Sequence, residues 1–287
     1  MNLTELNLTN KRTVKDLLGK YGARPEKYLG QHFILSKKTL FQMIAAAEIK
    51  KNDTVVEIGP GLGTLTQELA KTGAKIIAVE KDPLMVSILG ETLADFSNIK
   101  IIQADARNIG ENIGVGHLYL KKYKIVANLP YNAATFLIRQ WLESKNPPES
   151  MVLMIQKEVA RRICAKPPHM NLLAVSVQFY ADVKIVDYVP AEAFWPKPKV
   201  DSAIIKIVPT GGQPPRGCWA VVKAGFSQPR KQLIGNLAKK LGVPRETILD
   251  IYEKLNMKEK IRAQNLSVED WLILAKKIDK KIFAIAA

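Results

Sequence analysis

The 287 residues carry 43 Lys/Arg against 27 Asp/Glu, giving a net charge of +16 and a pI near 9.7. With 47% hydrophobic residues and no apolar run approaching the roughly 18–20 residues of a membrane span, a globular protein with a polyanionic partner is expected, nucleic acid before a membrane. Cys164 and Cys218 are too few and too distant for a disulfide framework or zinc site, and His32, His117 and His169 show no ligand spacing, so neither a metal nor an oxidising compartment is expected.

The polar stretch Met1–Lys20 has no apolar h-region, so no secretory signal is expected and a cytoplasmic location is. Residues 11–21 read as a short basic helix, and Ser36 as the N-cap of an apolar-periodic helix through about Ile49. Strand and helix patterns then alternate. Thr54–Ile58 reads as a strand, Leu62–Lys71 as a helix, Lys75–Val79 as a strand, and Pro83–Leu93 as a helix with Pro in its first turn. Ile99–Gln103 is a strand, followed by a polar, Gly-containing loop through Gly116. Lys124–Ala127 is a strand, Ala133–Glu143 a helix and Met151–Ile155 a strand leading into a helix from Lys157. Two further strands are expected near Val183–Val189 and Ser202–Val208. This order predicts an α/β fold, a parallel sheet covered by helices on both faces.

The breaker Thr210-Gly211-Gly212-Gln213-Pro214-Pro215 marks a domain boundary, dividing residues 1–209 from 210–287. Beyond it helical periodicity appears around 217–226, 230–241, 246–255 and 267–280. This small helical domain holds 15 Lys/Arg against 7 Asp/Glu, a net +8 over 78 residues, more than twice the charge density of the rest.

Gly59, Gly61 and Gly63 stand between the first strand of the alternating series and the next helix, where glycines permit a tight turn and close ligand approach. A dinucleotide fingerprint would place its last glycine three after the second, where this chain has Thr64. A loop without a phosphate to cradle suits S-adenosylmethionine better than NAD. Glu80 ends the second strand of that series, about 20 residues on, where a carboxylate can accept from both ribose hydroxyls of either cofactor. Asp105 follows the third and could accept from the adenine amino group. Singly, either acid reads more simply as a surface or helix-cap carboxylate; the ordered set at successive strand ends carries the argument.

Asn128-Leu129-Pro130-Tyr131 leaves the strand that begins near Tyr123. Taken alone it is equally well an ordinary strand exit. At the carboxyl end of a parallel strand, where ligands bind, it offers an amide, backbone carbonyls and an aromatic ring together. The exocyclic amine of a base is a poor nucleophile because its lone pair is delocalised into the ring. Two acceptors, the Asn128 side-chain oxygen and a carbonyl near Leu129, would favour the pyramidal geometry that frees that pair. Pro130 stiffens the turn, and Tyr131 can stack on a flipped base.

With these residues, the chain resembles the ribosomal RNA adenine N6-dimethyltransferase family, in its bacterial small-subunit branch. The likeness runs from about Tyr21 to Trp271. It includes Gly30-Gln31-His32-Phe33-Ile34, Glu57–Gly63, Asn128–Asn132, Ile155–Val159 and Phe194-Trp195-Pro196-Lys197-Pro198-Lys199-Val200-Asp201-Ser202. In the tail, Phe226–Lys231 and Arg262–Ser267 also match. The resemblance implies a Rossmann-like class I methyltransferase sheet with a small C-terminal all-helical domain. It implies cofactor contacts at His32, Ile34, Gly59, Gly61, Glu80, Asp105 and Asn128, and places Phe194 across the target base from Tyr131. His32 stands where Asn is more usual, and Ala133-Ala134-Thr135-Phe136 replaces a run richer in Ser/Thr.

The reaction so implied is S-adenosylmethionine-dependent dimethylation of two adjacent adenines near the 3′ end of 16S ribosomal RNA in the immature small ribosomal subunit, by a monomer without a membrane partner. A large-subunit enzyme, a DNA adenine methyltransferase, a non-enzymatic assembly factor and an NAD-dependent oxidoreductase are the rival readings.

Overall fold

The computed structural model describes residues 6–26, 30–108, 120–215 and 217–283, with side chains through residue 278. Beyond residue 108, the expected loop through Gly116 lies outside the described residues, as does His117. The chain divides into two compact units, residues 1–160 with 182–209 and residues 161–181 with 210–287.

The first unit opens with α1 (Lys11–Lys20), capped by Asn10, whose Oδ1 accepts from the Arg12 amide at 2.8 Å. Its Val14, Leu17 and Leu18 are buried beside Phe33, Leu62 and Ile88, while Lys11, Arg12, Lys15 and Lys20 face solvent. After β1 (Phe33–Ile34), α2 (Lys37–Ala47) starts at Ser36, whose hydroxyl accepts from the Thr39 amide. Then come β2 (Thr54–Ile58), α3 (Thr64–Ala70), β3 (Lys75–Glu80), α4 (Pro83–Thr92), β4 (Ile99–Gln103), β5 (Lys124–Asn128), α5 (Ala134–Leu142) and β6 (Ser150–Gln156). The chain passes through α6 (Lys157–Ile163) and α7 (Leu172–Gln178), then returns as β7 (Ala181–Val189), β8 (Phe194–Trp195) and β9 (Ser202–Pro209).

Seven strands form one sheet in the order β4-β3-β2-β5-β6-β9-β7. Strands β2 to β6 pair in parallel, but β9 pairs antiparallel with β6, so the expected all-parallel sheet is a mixed one. The direction of β9 could not be read from its apolar run: a strand buried on both faces looks the same in either sense. Val55, Ile76 and Val126 pack with α2 and α3, while their neighbours Val56, Ile77 and Ile125 point to the other face and are equally buried. The edge strands β4 and β7 are instead partly exposed along their length. A separate two-stranded ribbon pairs Phe33 with Trp195 and Ile34 with Phe194.

The second unit contains α8 (Cys218–Gly225), α9 (Leu233–Leu241), α10 (Arg245–Lys254) and α11 (Val268–Phe283). The structural division departs from the 209/210 partition in Arg161–Ala181, whose Met170, Ala174, Val175 and Phe179 join the buried cluster of these helices. The helical unit is therefore not solely C-terminal. Its centre is the crossing of α8 and α11 at Gly225. A Cβ there would stand 2.4 Å from the Trp271 ring and 2.7 Å from Leu233. The buried amide of Asn236 donates to the carbonyls of Gly225 (2.7 Å) and Gln228 (2.9 Å), fixing the turn that follows.

Gly225→Ala tests this crossing. The helical advantage of Ala over Gly is about 1 kcal/mol, whereas overpacking a closed core costs about 1–3 kcal/mol. The substitution should lower the thermal midpoint followed by circular dichroism. A raised or unchanged midpoint would contradict the packing described.

Candidate active site

The carboxyl ends of β2, β3, β4 and β5 open onto a cavity of about 740 Å³. Its floor is the glycine loop. Gly59, Gly61 and Gly63 adopt φ of +67°, +59° and +91°, a region in which side chains are strained. The Gly59 amide donates to the Val79 carbonyl at 2.9 Å, and the Gly61 amide donates to Glu80 Oε2 at 3.2 Å. The other carboxylate oxygen of Glu80 accepts from the amides of Lys81 (2.7 Å) and Asp82 (2.9 Å). Glu80 is 8% exposed, and burial raises its pKa against the opposing pull of these three N–H groups. One buried acid therefore holds two strand ends in register while remaining on the cavity wall.

Glu57 sits deeper, 2% exposed, and its Oε2 has no hydrogen-bond partner among the described residues. Burial, with the charge of Glu80 added, pushes its carboxyl up to about 8. Asp105 is the opposite case. Its Oδ1 accepts from the Arg107 amide (3.0 Å) and Nε (3.1 Å), and its Oδ2 meets Arg107 Nη2 (2.6 Å) and Lys81 Nζ (3.0 Å). The guanidinium beside it holds this carboxyl well below the usual range.

Strand β5 ends at Asn128. Its Nδ2 donates to the His32 carbonyl at 3.2 Å, which leaves Oδ1 as the acceptor of the amide. The Leu129 amide donates to the Met154 carbonyl (3.1 Å), and the Pro130 carbonyl accepts from the Ala133 amide (3.0 Å), so the turn is held on both sides. Tyr131 bonds Ser202 Oγ through its hydroxyl at 2.8 Å, and its ring lies 5.9 Å from the His32 ring at 26°. Burial raises the Tyr131 phenol pKa, with the Ser202 bond opposing. His32 is tied in turn by Nδ1 to the Pro196 carbonyl at 2.6 Å.

Of the residues expected at a site, His32, Ile34, Gly59, Gly61, Glu80, Asp105, Asn128 and Pro130 line this one cavity. Tyr131 stands beside them through its contact with His32. Leu129 is buried, so its side chain belongs to the core and only its backbone serves the turn. Phe194 is 4% exposed, packed in the cluster that contains Ile34, Val126 and Val189, and is not on the cavity wall. Sequence reasoning gave no role to Glu57, Lys81, Arg107, Ser202 or Phe136. Glu57 carried a signal, a lone acid inside the apolar run Thr54–Ile58. The partners of Arg107 and Ser202 are set by the fold.

The residues could hold S-adenosylmethionine: a loop of positive-φ glycines without side chains, a buried acid able to accept from ribose hydroxyls, a second acid one strand further along, and an amide acceptor at the fourth strand end. A Rossmann-like sheet with this set defines an S-adenosylmethionine-dependent methyltransferase. The profile of the ribosomal RNA adenine dimethylase family matches residues 23–280, and the chain belongs to that family. Its activity is dimethylation of adenine in ribosomal RNA, with S-adenosylmethionine as cofactor. The chain is 40% identical over 271 residues to a ribosomal RNA small subunit methyltransferase A of Dehalococcoides mccartyi, covering 91% of this chain and 90% of that one. A crystal structure of a dimethyladenosine transferase from Plasmodium falciparum superposes with a TM-score of 0.75 at 28% identity, covering 87% of this chain and 98% of that one. The 23S rRNA methyltransferase ErmE, at 24% identity and a TM-score of 0.71 over 86% of this chain and 99% of that one, shares the fold. Among the described residues no helix is long and apolar enough to cross a membrane.

The raised carboxyl of Glu57 has a consequence for stability. Its folded pKa of about 8 exceeds the ordinary value of 4.5, so the folded state holds the proton more tightly than the unfolded chain. Stability linked to this group is fully present below about pH 4.5 and is lost as pH rises towards 8. Glu57→Gln keeps the shape without the proton. Denaturant unfolding should show the variant gaining on the parent between these pH values, by at most about 1.4 kcal/mol per pH unit. A difference independent of pH would contradict a buried, neutral Glu57.

Proposed function

We propose that this enzyme dimethylates N6 of two adjacent adenines near the 3′ end of 16S ribosomal RNA in the immature small subunit, as a cytoplasmic monomer. The orientation of Asn128 carries the chemical part of the reading. Because its Nδ2 is committed to the His32 carbonyl, its Oδ1 is the atom that meets an incoming amine. The printed name of the Dehalococcoides mccartyi relative supports the small-subunit substrate over the large-subunit one.

S-adenosylmethionine supplies a methyl group activated by its sulfonium. Around it, the residues bind and orient. Glu80 takes the ribose hydroxyls, Asp105 the adenine amino group, and His32, Ile34, Gly59 and Gly61 shape the remaining wall. Asn128 Oδ1 and the Leu129 carbonyl accept from the N6 amine and pyramidalise it, while Pro130 keeps the turn rigid. Tyr131 offers a ring face to the flipped base, its tilt set by Ser202 and His32. Phe194 completes the stack only if the ribbon of β1 and β8 shifts to uncover its ring. The proton released by the alkylated nitrogen passes to water. The helical unit docks folded RNA by phosphate contacts, with Arg230 and Lys231 exposed between α8 and α9 as its leading candidates.

Single-turnover methylation of undermethylated small subunits at saturating cofactor tests the reading. Asn128→Ala should lower the rate far more than it lowers RNA affinity. Removing the Tyr131 ring forfeits stacking of roughly 1–3 kcal/mol, so rates should fall from parent to Tyr131→Phe to Tyr131→Ala. Parental rates in both alanine variants would overturn this chemistry.

A further inference from the structure

Phe136 has no place in the site as assembled so far, yet it stands on the cavity wall. It lies in the first turn of α5, directly after the Asn128–Tyr131 turn, and is 54% exposed. Scattered exposed aromatics are ordinary, and Phe41, at 74% exposed on α2, is one that does not line this cavity. Phe136 differs in its surroundings. One helical turn on, Gln140 Nε2 donates to the Arg107 carbonyl at 3.2 Å. Residues four apart share a helix face, so Phe136 stands on the side of α5 that meets Ala106 and Arg107, and both of these line the same cavity. The corner it overlooks is that of Asp105, the acid assigned to the adenine amino group. Its floor is held rigid, because Arg107 and Lys81 clasp both carboxylate oxygens.

An exposed, uncharged ring over a rigid polar corner fits one kind of ligand, a flat π system whose edge bonds to the acid and whose face covers the ring. We propose that Phe136 is a stacking lid for the adenine ring of the cofactor, and so a determinant of cofactor affinity in this chain. The proposal rests on the placement of S-adenosylmethionine in this cavity. The ring adds face contact where Asp105 supplies only an edge, and it does not touch the reacting atoms.

Calorimetric titration of S-adenosylmethionine and S-adenosylhomocysteine into parent, Phe136→Ala and Phe136→Trp tests this, alongside RNA affinity in the absence of cofactor. The ring is largely exposed, so the variants should keep the parent's thermal midpoint. Phe136→Ala should weaken both cofactor forms equally, about ten- to a hundredfold. Phe136→Trp should restore parental affinity, and RNA affinity should not move. Unchanged cofactor affinity in Phe136→Ala would overturn the proposal. So would weakened RNA binding with intact cofactor binding, which would assign the ring to the substrate instead. A parent that binds neither cofactor form would show that the reading of the cavity itself had failed.

Discussion

A single buried carboxylate organises the cofactor half of the site. Glu80 accepts one N–H from the glycine loop after β2 and two from the chain leaving β3. Carboxylates are expensive to bury without such partners, and glycine loops with positive φ have no side chains to hold them. Each therefore needs the other. The Gly59 amide bonded to Val79 adds a backbone tie between the same two strands. The cost of burying the acid is offset in part by donors that also set the shape of the loop, so Glu80 has a fixed direction.

The substrate half is held by a different device. Asn128 ends β5, but its amide is oriented by the His32 carbonyl, and the His32 ring is tied to Pro196. The ribbon Phe33–Ile34 with Phe194–Trp195 brings those two segments together. Tyr131 is likewise oriented from afar, by Ser202 at the start of β9. Three stretches distant in sequence thus converge on one turn. Two further acids on the cavity wall are pushed in opposite directions, Glu57 up by burial and Asp105 down by Arg107. Only the second is an anion ready to accept a hydrogen bond at neutral pH.

How far this could be read from sequence follows from which constraints are local. The strands β2 to β6 and their glycine loop were legible because burial on both faces produces apolar runs, and because turn chemistry is local to a few residues. The ordered acids after successive strands were legible because a parallel sheet places all such ends on one side. What escaped depends on pairing between remote segments. A two-residue strand has no periodicity, so β1 and β8 could not be seen, and with them went the link from His32 to Pro196 and the burial of Phe194. Arg161–Ala181 lies between two strands of the first unit, and nothing in its composition marks its packing with the helical unit. The sequence gives Phe136 no role, and only the fold shows it on a cavity wall.

The central claim is that these two halves form one site that methylates adenine N6 in small-subunit ribosomal RNA. Its most direct measurement is the identity of the product. Purified protein would be incubated with S-adenosylmethionine and undermethylated small subunits, and the modified nucleotides located by mass spectrometry of RNA fragments. The account predicts N6,N6-dimethyladenine at two adjacent positions near the 3′ end of the 16S RNA and at no other site. Unmodified RNA despite bound cofactor, or methyl groups on another atom or another base, would contradict it.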